Sequence, residues 1–187
     1  MSDISKFKET QKSSELIFDG KVVHLYRDEI YLPDGREAFR EFCRHVGAVC
    51  VVPITDNNEV ICVKQYRYAI ADVMLEIPAG KLDSPDENPD DAVCRELREE
   101  TGATAKKMIY LGKYFPSPAI LDECIYMYLA TGLEFGETDF DEDEFIESVR
   151  IPLAKLVDLT LEGKIRDGKT QIAALRAQMM IDRGLIG

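Results

Sequence analysis

Residues 88–102 read as one short helix with both ends written into the sequence, and what it carries limits what the rest of the chain can be. Asn88 suits the cap and Pro89 the first helical position, while Asp90 and Asp91 sit where the positive end of the helix dipole favours carboxylates. Gly102 is where the helix should stop. At about 100° per residue, Glu96, Glu99 and Glu100 fall within one arc, with Val93 and Leu97 on the adjoining apolar face. Three carboxylates therefore share one side of one helix. Glu87, just ahead of the cap, is near enough in sequence to fold back and join them.

Like charges three and four residues apart destabilise a bare helix, by roughly 0.2–0.5 kcal/mol a pair. Arg95 stands four residues before Glu99 and can pair with it, and Arg98 flanks the group. Two arginines do not satisfy four carboxylates. Two readings stay open at this point: a solvated acidic face laced with helix salt bridges, or a seat for a hard divalent cation, which takes clustered oxygen ligands.

Around this helix the chain alternates mostly between strand patterns and turns. About a dozen polar residues at the start read as flexible. Strand patterns follow at 15–18 and 21–32, and Pro33-Asp34-Gly35 predicts a hairpin return over 36–45. The continuous apolar run 48–54 has strand length, Asp56-Asn57-Asn58 turns it into 60–68, and 73–77 is a further short strand ending at Pro78. Beyond the helix, 107–115, 124–131 and 145–151 read as strands, with an acidic loop over 134–144. Helical spacing over 153–162 and 169–182 closes the chain. The sum is a mixed sheet with helices packed on it, an α+β arrangement.

The chain has 187 residues, 45% of them hydrophobic, enough for one well-buried domain and short for two. No apolar run approaches a membrane span, and the start MSDISKFKETQKSSE lacks the apolar core of a signal peptide. Five cysteines, Cys43, Cys50, Cys62, Cys94 and Cys124, are odd in number and form no CxxC pair; they suit reduced core residues in a cytoplasmic protein. His24 and His45 form no recognisable triad or metal motif. A net charge of -12 repels phosphate backbones, which argues against nucleic acid and anionic membranes as partners. A small phosphorylated substrate would have to be brought in by a metal.

Gly80, Glu87 and the run Arg95-Glu96-Leu97-Arg98-Glu99-Glu100-Thr101-Gly102-Ala103 resemble the signature of the Nudix hydrolases. In that signature five residues separate the glycine from the first glutamate; here six do, the extra one lying in the turn Asp83-Ser84-Pro85-Asp86, where a loop absorbs it. Beyond the signature, Gln65-Tyr66-Arg67-Tyr68, Leu75-Glu76-Ile77-Pro78-Ala79-Gly80, Pro116-Ser117-Pro118, residues 141–146, and Glu162-Gly163-Lys164-Ile165 with Lys169-Thr170 resemble the ADP-ribose pyrophosphatase branch. Ala119 and Ile120 depart from it, standing where that branch has glycine and an aromatic. The resemblance implies a Nudix fold, an α/β/α sandwich around a mixed sheet. It further implies an N-terminal antiparallel region over 1–45 that serves a homodimer, followed by the hydrolase domain over 46–187.

Hydrolysis of a pyrophosphate brings a nucleophilic water into a doubly anionic field, and carboxylate-bound divalent ions relieve that repulsion and acidify bound water. By resemblance, Glu96 and Glu100 are the main metal ligands with the backbone oxygen of Ala79, and Glu99 and Glu87 are secondary ligands or orienting groups. Arg95 is a structural pin. Glu144 is the first choice for the base that activates water, or for the ligand of another metal, and Glu142 the second. Arg67 is assigned to the diphosphate, Glu76 to sugar or nucleobase, and Ser117 and Glu123 to the terminal ribose. The implied reaction is Mg²⁺-dependent hydrolysis of a nucleoside diphosphate sugar, ADP-ribose giving AMP and ribose 5-phosphate, with Mn²⁺ a possible substitute. The alternatives are another such sugar, for instance GDP-mannose, and a nucleotide-sugar sensor that binds without cleaving.

Overall fold

Strand β4 (Ala48–Pro53) is buried along its whole length, and its alternating side chains serve two different cores. Val49 and Val51 point one way, Ala48, Cys50 and Val52 the other. A strand covered on both faces reads as an unbroken apolar run, which is what AVCVVP is. In this computed structural model residues 4–136 and 145–186 are described. The chain divides into two units, Met1–His45 with Ser117–Glu123, and Val46–Pro116 with Cys124–Gly187.

The first unit is a three-stranded antiparallel sheet of β1 (Thr10–Asp19), β2 (His24–Tyr31) and β3 (Glu37–Arg44), in the order β1-β2-β3. Tyr26 and Phe42 face each other across β2 and β3 and stack at 6.0 Å. The flexible start expected over the first dozen residues is corrected here: a 3₁₀ turn forms at Ser5–Phe7 and β1 begins at Thr10. Every residue of β1 is exposed, so pairing with β2, rather than an apolar alternation the sequence lacks, makes it a strand.

Among the described residues the second unit holds two sheets. β7 (Ala79–Lys81), β4, β9 (Ile125–Phe135) and β8 (Ala103–Tyr114) lie in the order β7-β4-β9-β8, with β4 and β9 parallel and the other pairs antiparallel. The second sheet has the order β10-β5-β6, from β5 (Glu59–Arg67), β6 (Asp72–Glu76) and β10 (Ile146–Pro152). Helix α1 (Pro89–Thr101) buries Ala92, Val93 and Leu97 against Val49, Val51 and Tyr128. On the other side α2 (Leu153–Leu161) and α3 (Gly168–Asp182) bury Leu156, Ala173, Ala174 and Ala177 against Cys50, Val52, Met127 and Leu129. Each large aliphatic side chain so covered contributes about 1.5–3 kcal/mol. This is the expected α+β sandwich, a mixed sheet between one helix and two.

Several boundaries differ from the sequence reading: β2 starts at His24 rather than 21, β9 runs on to Phe135, into the loop expected from 134, and two more differences lie next to α1. The loop expected after Pro78 contains the short strand β7, because Ala79 and Gly80 pair with Cys50 and Val49. β8 begins directly at Ala103 rather than near 107, because Gly102 at φ 66° turns the chain out of α1 in a single residue. Among the described residues no helix is long and apolar enough to cross a membrane.

Candidate active site

Helix α1 forms as its punctuation demands. The Asn88 side chain accepts the N–H of Asp90 at 3.1 Å, Pro89 opens the helix, and the N–H of Gly102 returns to the Arg98 carbonyl at 2.8 Å. With Leu97 and Val93 turned into the core, the glutamates are left on the side facing β7 and the turn before the helix. Glu100 is only 4% exposed, and its Oε2 accepts the N–H of Ala79 at 3.2 Å. Ala79 and Glu100 are thus brought together through the Ala79 N–H, the backbone group next to the carbonyl named as a ligand from sequence.

Arg95 gathers the remaining acids. Its Nη1 donates to Glu96 at 2.7 Å and to Glu99 at 3.1 Å, and its Nη2 reaches Glu87 at 3.4 Å and the Lys81 carbonyl at 3.2 Å. Asp83 lies 3.6 Å from the same nitrogen, and Arg98 reaches Glu99 only at 3.9 Å. Burial alone would weaken the Arg95 charge, but the Glu96 carboxylate, with Asp83 and Glu87, holds its pKa above the ordinary arginine value. The extra residue in the preceding turn does not keep Glu87 away. Its backbone N–H bonds to the Ser84 carbonyl, and its carboxylate accepts the Asp83 N–H, which folds it back onto Arg95.

Gly80 of β7 explains how Glu96 reaches this position. A Cβ on Gly80 would lie 2.0 Å from the Glu96 Cδ and 2.1 and 2.2 Å from its two oxygens. The carboxylate occupies the space a side chain would fill.

This donor set consists wholly of carboxylate and carbonyl oxygens, the chemistry preferred by hard divalent cations, and Gly80 provides a cradle for one of the donors. Among the described residues, no three His, Cys, Asp or Glu side chains form a ready-made cage. The acids converge on the Arg95 guanidinium instead. The donor chemistry fits a hard cation, with Arg95 serving as the organising charge.

Behind the cluster lies a second set of charges. Arg67 at the end of β5 grips Glu76 of β6 as a fork, Nε at 2.7 Å and Nη2 at 2.8 Å. Glu76 is 2% exposed, whereas 42% of the Arg67 side chain is open to solvent. Its Oε2 also receives the Lys169 ammonium from α3, and Lys169 pairs with Asp167 at 3.1 Å. Burial works against the Glu76 charge, but the Arg67 fork and Lys169 outweigh it and hold its pKa below the usual glutamate value. Arg67 is held firmly charged, first by its bond to Glu76, and Glu100 adds to this. Asp167 caps α3 by accepting the N–H of Thr170, and the Thr170 hydroxyl accepts the N–H of Ile77 at 2.9 Å.

Of the other expected residues, Ser117 and Glu123 belong to the first unit, where the Ser117 carbonyl accepts the N–H groups of Ile120 and Leu121 and Glu123 lies 3.8 Å from His45. Glu142 and Glu144 lie outside the described residues. Lys169 and Asp167 were missed as parts of a site. An Asp three residues before a Thr at a helix start is a cap signal, but nothing local says that the intervening lysine turns inward.

A carboxylate-bearing helix packed under a glycine strap, on one face of an α/β/α sandwich, places this chain among the hydrolases of the NUDIX domain family. Residues 44–175 match that family's model, and the chain belongs to it. Within the family it is 38% identical over 178 residues to the ADP-ribose pyrophosphatase of Bacillus subtilis (strain 168), spanning 94% of this chain and 96% of that one. It is 40% identical over 175 residues to the methanol dehydrogenase activator of Bacillus methanolicus, covering 92% and 94%. Against the ADP-ribose pyrophosphatase of Mycobacterium tuberculosis (strain ATCC 25618 / H37Rv) the identity is 36% over 155 residues, 82% of this chain and 75% of that one. The fold is shared with a solved ADP compounds hydrolase, with a TM-score of 0.83 and 24% identity over 96% of this chain and 97% of that one.

Proposed function

We propose that this Nudix hydrolase cleaves the pyrophosphate bond of a nucleoside diphosphate sugar, ADP-ribose first, giving AMP and ribose 5-phosphate. The observation that carries the reading is the juxtaposition of an acidic cluster on α1 with an arginine that is fixed on one side and open on the other. Similarity to two ADP-ribose pyrophosphatases over most of the chain supports ADP-ribose as the first candidate.

Glu96 and Glu100 are the residues to hold Mg²⁺, with the Ala79 carbonyl beside them and Glu99 and Glu87 as secondary ligands or orienting groups; Mn²⁺ has the same oxygen preference. The bound ion would neutralise phosphoryl oxygens and lower the pKa of water. Glu100 is buried and anchored by the Ala79 N–H, so its position is set before substrate arrives. Arg95 keeps the acids together at the cost of one positive charge among four negative ones. With Nε–H and one N–H of Nη2 committed to Glu76, Nη1 and the second N–H of Nη2 are the donors Arg67 offers to phosphoryl oxygens. Glu144, or else Glu142, takes the proton from the attacking water.

The same reading places the enzyme in the cytoplasm as a homodimer that does not act on nucleic acid or membranes. Five free cysteines support the compartment. The exposure of every residue of β1, with Leu16, Ile17 and Phe18 44%, 48% and 57% open to solvent, supports association through residues 1–45. Sedimentation equilibrium tests the dimer. The substrate is tested with a panel of nucleoside diphosphate derivatives, GDP-mannose included, assayed with Mg²⁺ and products identified by mass. ADP-ribose should be cut to AMP and ribose 5-phosphate. Binding without turnover across the panel would instead support a sensor.

A further inference from the structure

The ion network behind Arg67 is larger than a single exposed arginine requires. From Arg67 through Glu76 and Lys169 to Asp167 the charges alternate in sign, and the row ends on the amino terminus of α3, where the Asp167 carboxylate accepts the Thr170 N–H. Lys169 is the unexpected member. A lysine in the first turn of a helix opposes the helix dipole and normally reaches into solvent. Here it is 9% exposed, with its ammonium turned onto Glu76 and Asp167.

This arrangement has two effects on Arg67. Were Glu76 paired with Arg67 alone, the two charges would largely cancel. Sharing Glu76 with Lys169 draws part of its field away from the guanidinium, so the exposed edge keeps its pull on an anion. The fork also holds Arg67 only as firmly as Glu76 is held, and Lys169 fixes Glu76 through Oε2, the oxygen that Arg67 Nη2 also reaches. The same helical turn reaches the acidic cluster by another route. Thr170 holds the N–H of Ile77, Pro78 follows, and the next residue, Ala79, gives its N–H to Glu100.

We propose that Lys169 is a positioning residue of the active site, which through Glu76 fixes Arg67 in the orientation that meets the diphosphate while Thr170 steadies the strap 77–80. The proposal rests on the hydrolase reading above. Lys169 itself does not touch the substrate, because its ammonium is enclosed by Glu76 and Asp167.

The test is a double-mutant cycle of Lys169→Met and Arg67→Ala, read by kcat and KM for ADP-ribose and by calorimetric binding of ADP. Lys169→Met should raise KM and the ADP Kd about tenfold while kcat changes less than threefold, and Lys169→Arg should restore most of the loss. In the Arg67→Ala background, Lys169→Met should change ADP binding less than twofold, since the residue it positions is gone. Equal losses in both backgrounds, or an unchanged KM in folded Lys169→Met, would overturn the proposal. Glu76→Gln, which unlinks the two cations without removing either, must raise KM similarly, so the idea can fail even if Lys169→Met does not fold. Lack of turnover by the wild-type enzyme would sink the hydrolase reading alone, because the ADP cycle scores the link between Lys169 and Arg67 without catalysis.

Discussion

Substituting Gly80→Ala tests the site through its tightest approach. The new methyl would stand 2.0 Å from the Glu96 Cδ, whereas carbon atoms rest at about 3.5 Å. The carboxylate must therefore retreat by about 1.5 Å. The backbone offers no objection, because Gly80 is not among the residues at positive φ and lies in the extended pair with Val49. The crowding is met by the far end of a flexible side chain, so the cost to folding should stay within about 1 kcal/mol. Function should suffer far more. A misplacement of about 1 Å in a positioned group is worth about 100-fold in rate, or about 2.7 kcal/mol of transition-state stabilisation. The assay is steady-state ADP-ribose hydrolysis over a magnesium titration, with melting of the same samples followed by circular dichroism. Turnover within threefold of wild type at unchanged magnesium dependence would refute the placement of Glu96. A melting point lowered by more than about 10 °C would make Gly80 a folding residue instead.

Three other outcomes follow from the same geometry. Glu100→Gln keeps an oxygen for the Ala79 N–H but removes the charge, and should cost at least about 100-fold in kcat with the melting point little changed; near-normal turnover would rule Glu100 out as a metal ligand. Thr170→Val preserves shape but strips the buried Ile77 N–H of its acceptor, and should lower stability by about 1–3 kcal/mol in urea unfolding; a change below about 0.5 kcal/mol would mean that the strap is held elsewhere. Burial pushes the thiols of Cys50 and Cys62 up to about 12, from the ordinary thiol value of 9.0 that holds in the unfolded chain. Their contribution is therefore complete below about pH 9 and lost as pH rises toward 12, at up to about 1.4 kcal/mol per pH unit for each thiol. Urea midpoints should be level from pH 7 to 8.5 and fall above pH 9, and a level curve to pH 10.5 would contradict the burial argument.

What could be read in the sequence was what local chemistry decides. Asn88, Pro89 and Gly102 mark α1 because capping and dipole effects act within one turn, and AVCVVP announces a strand buried on both faces because no polar residue interrupts it. β7 was not legible: three residues make no period, and its pairing with β4 joins segments about thirty positions apart. The strand character of residues 10–13 was hidden for a related reason, since exposed polar residues become a strand through their partner. At the site, the glutamates of α1 were visible from spacing and resemblance together. The burial of Glu76 was not, because its second cation, Lys169, comes from a helix 93 residues further along the chain.

Arg95 gives the acidic helix a resident counter-ion, and this changes what chelation should do to the enzyme. A cluster of glutamates that relied wholly on dissolved magnesium for its cohesion would fly apart in EDTA and take α1 with it. Here a guanidinium supplied by the same helix already bridges Glu87, Glu96 and Glu99. Stripping the ion should leave a silent but well-folded protein, ready to be switched back on by adding salt of the metal.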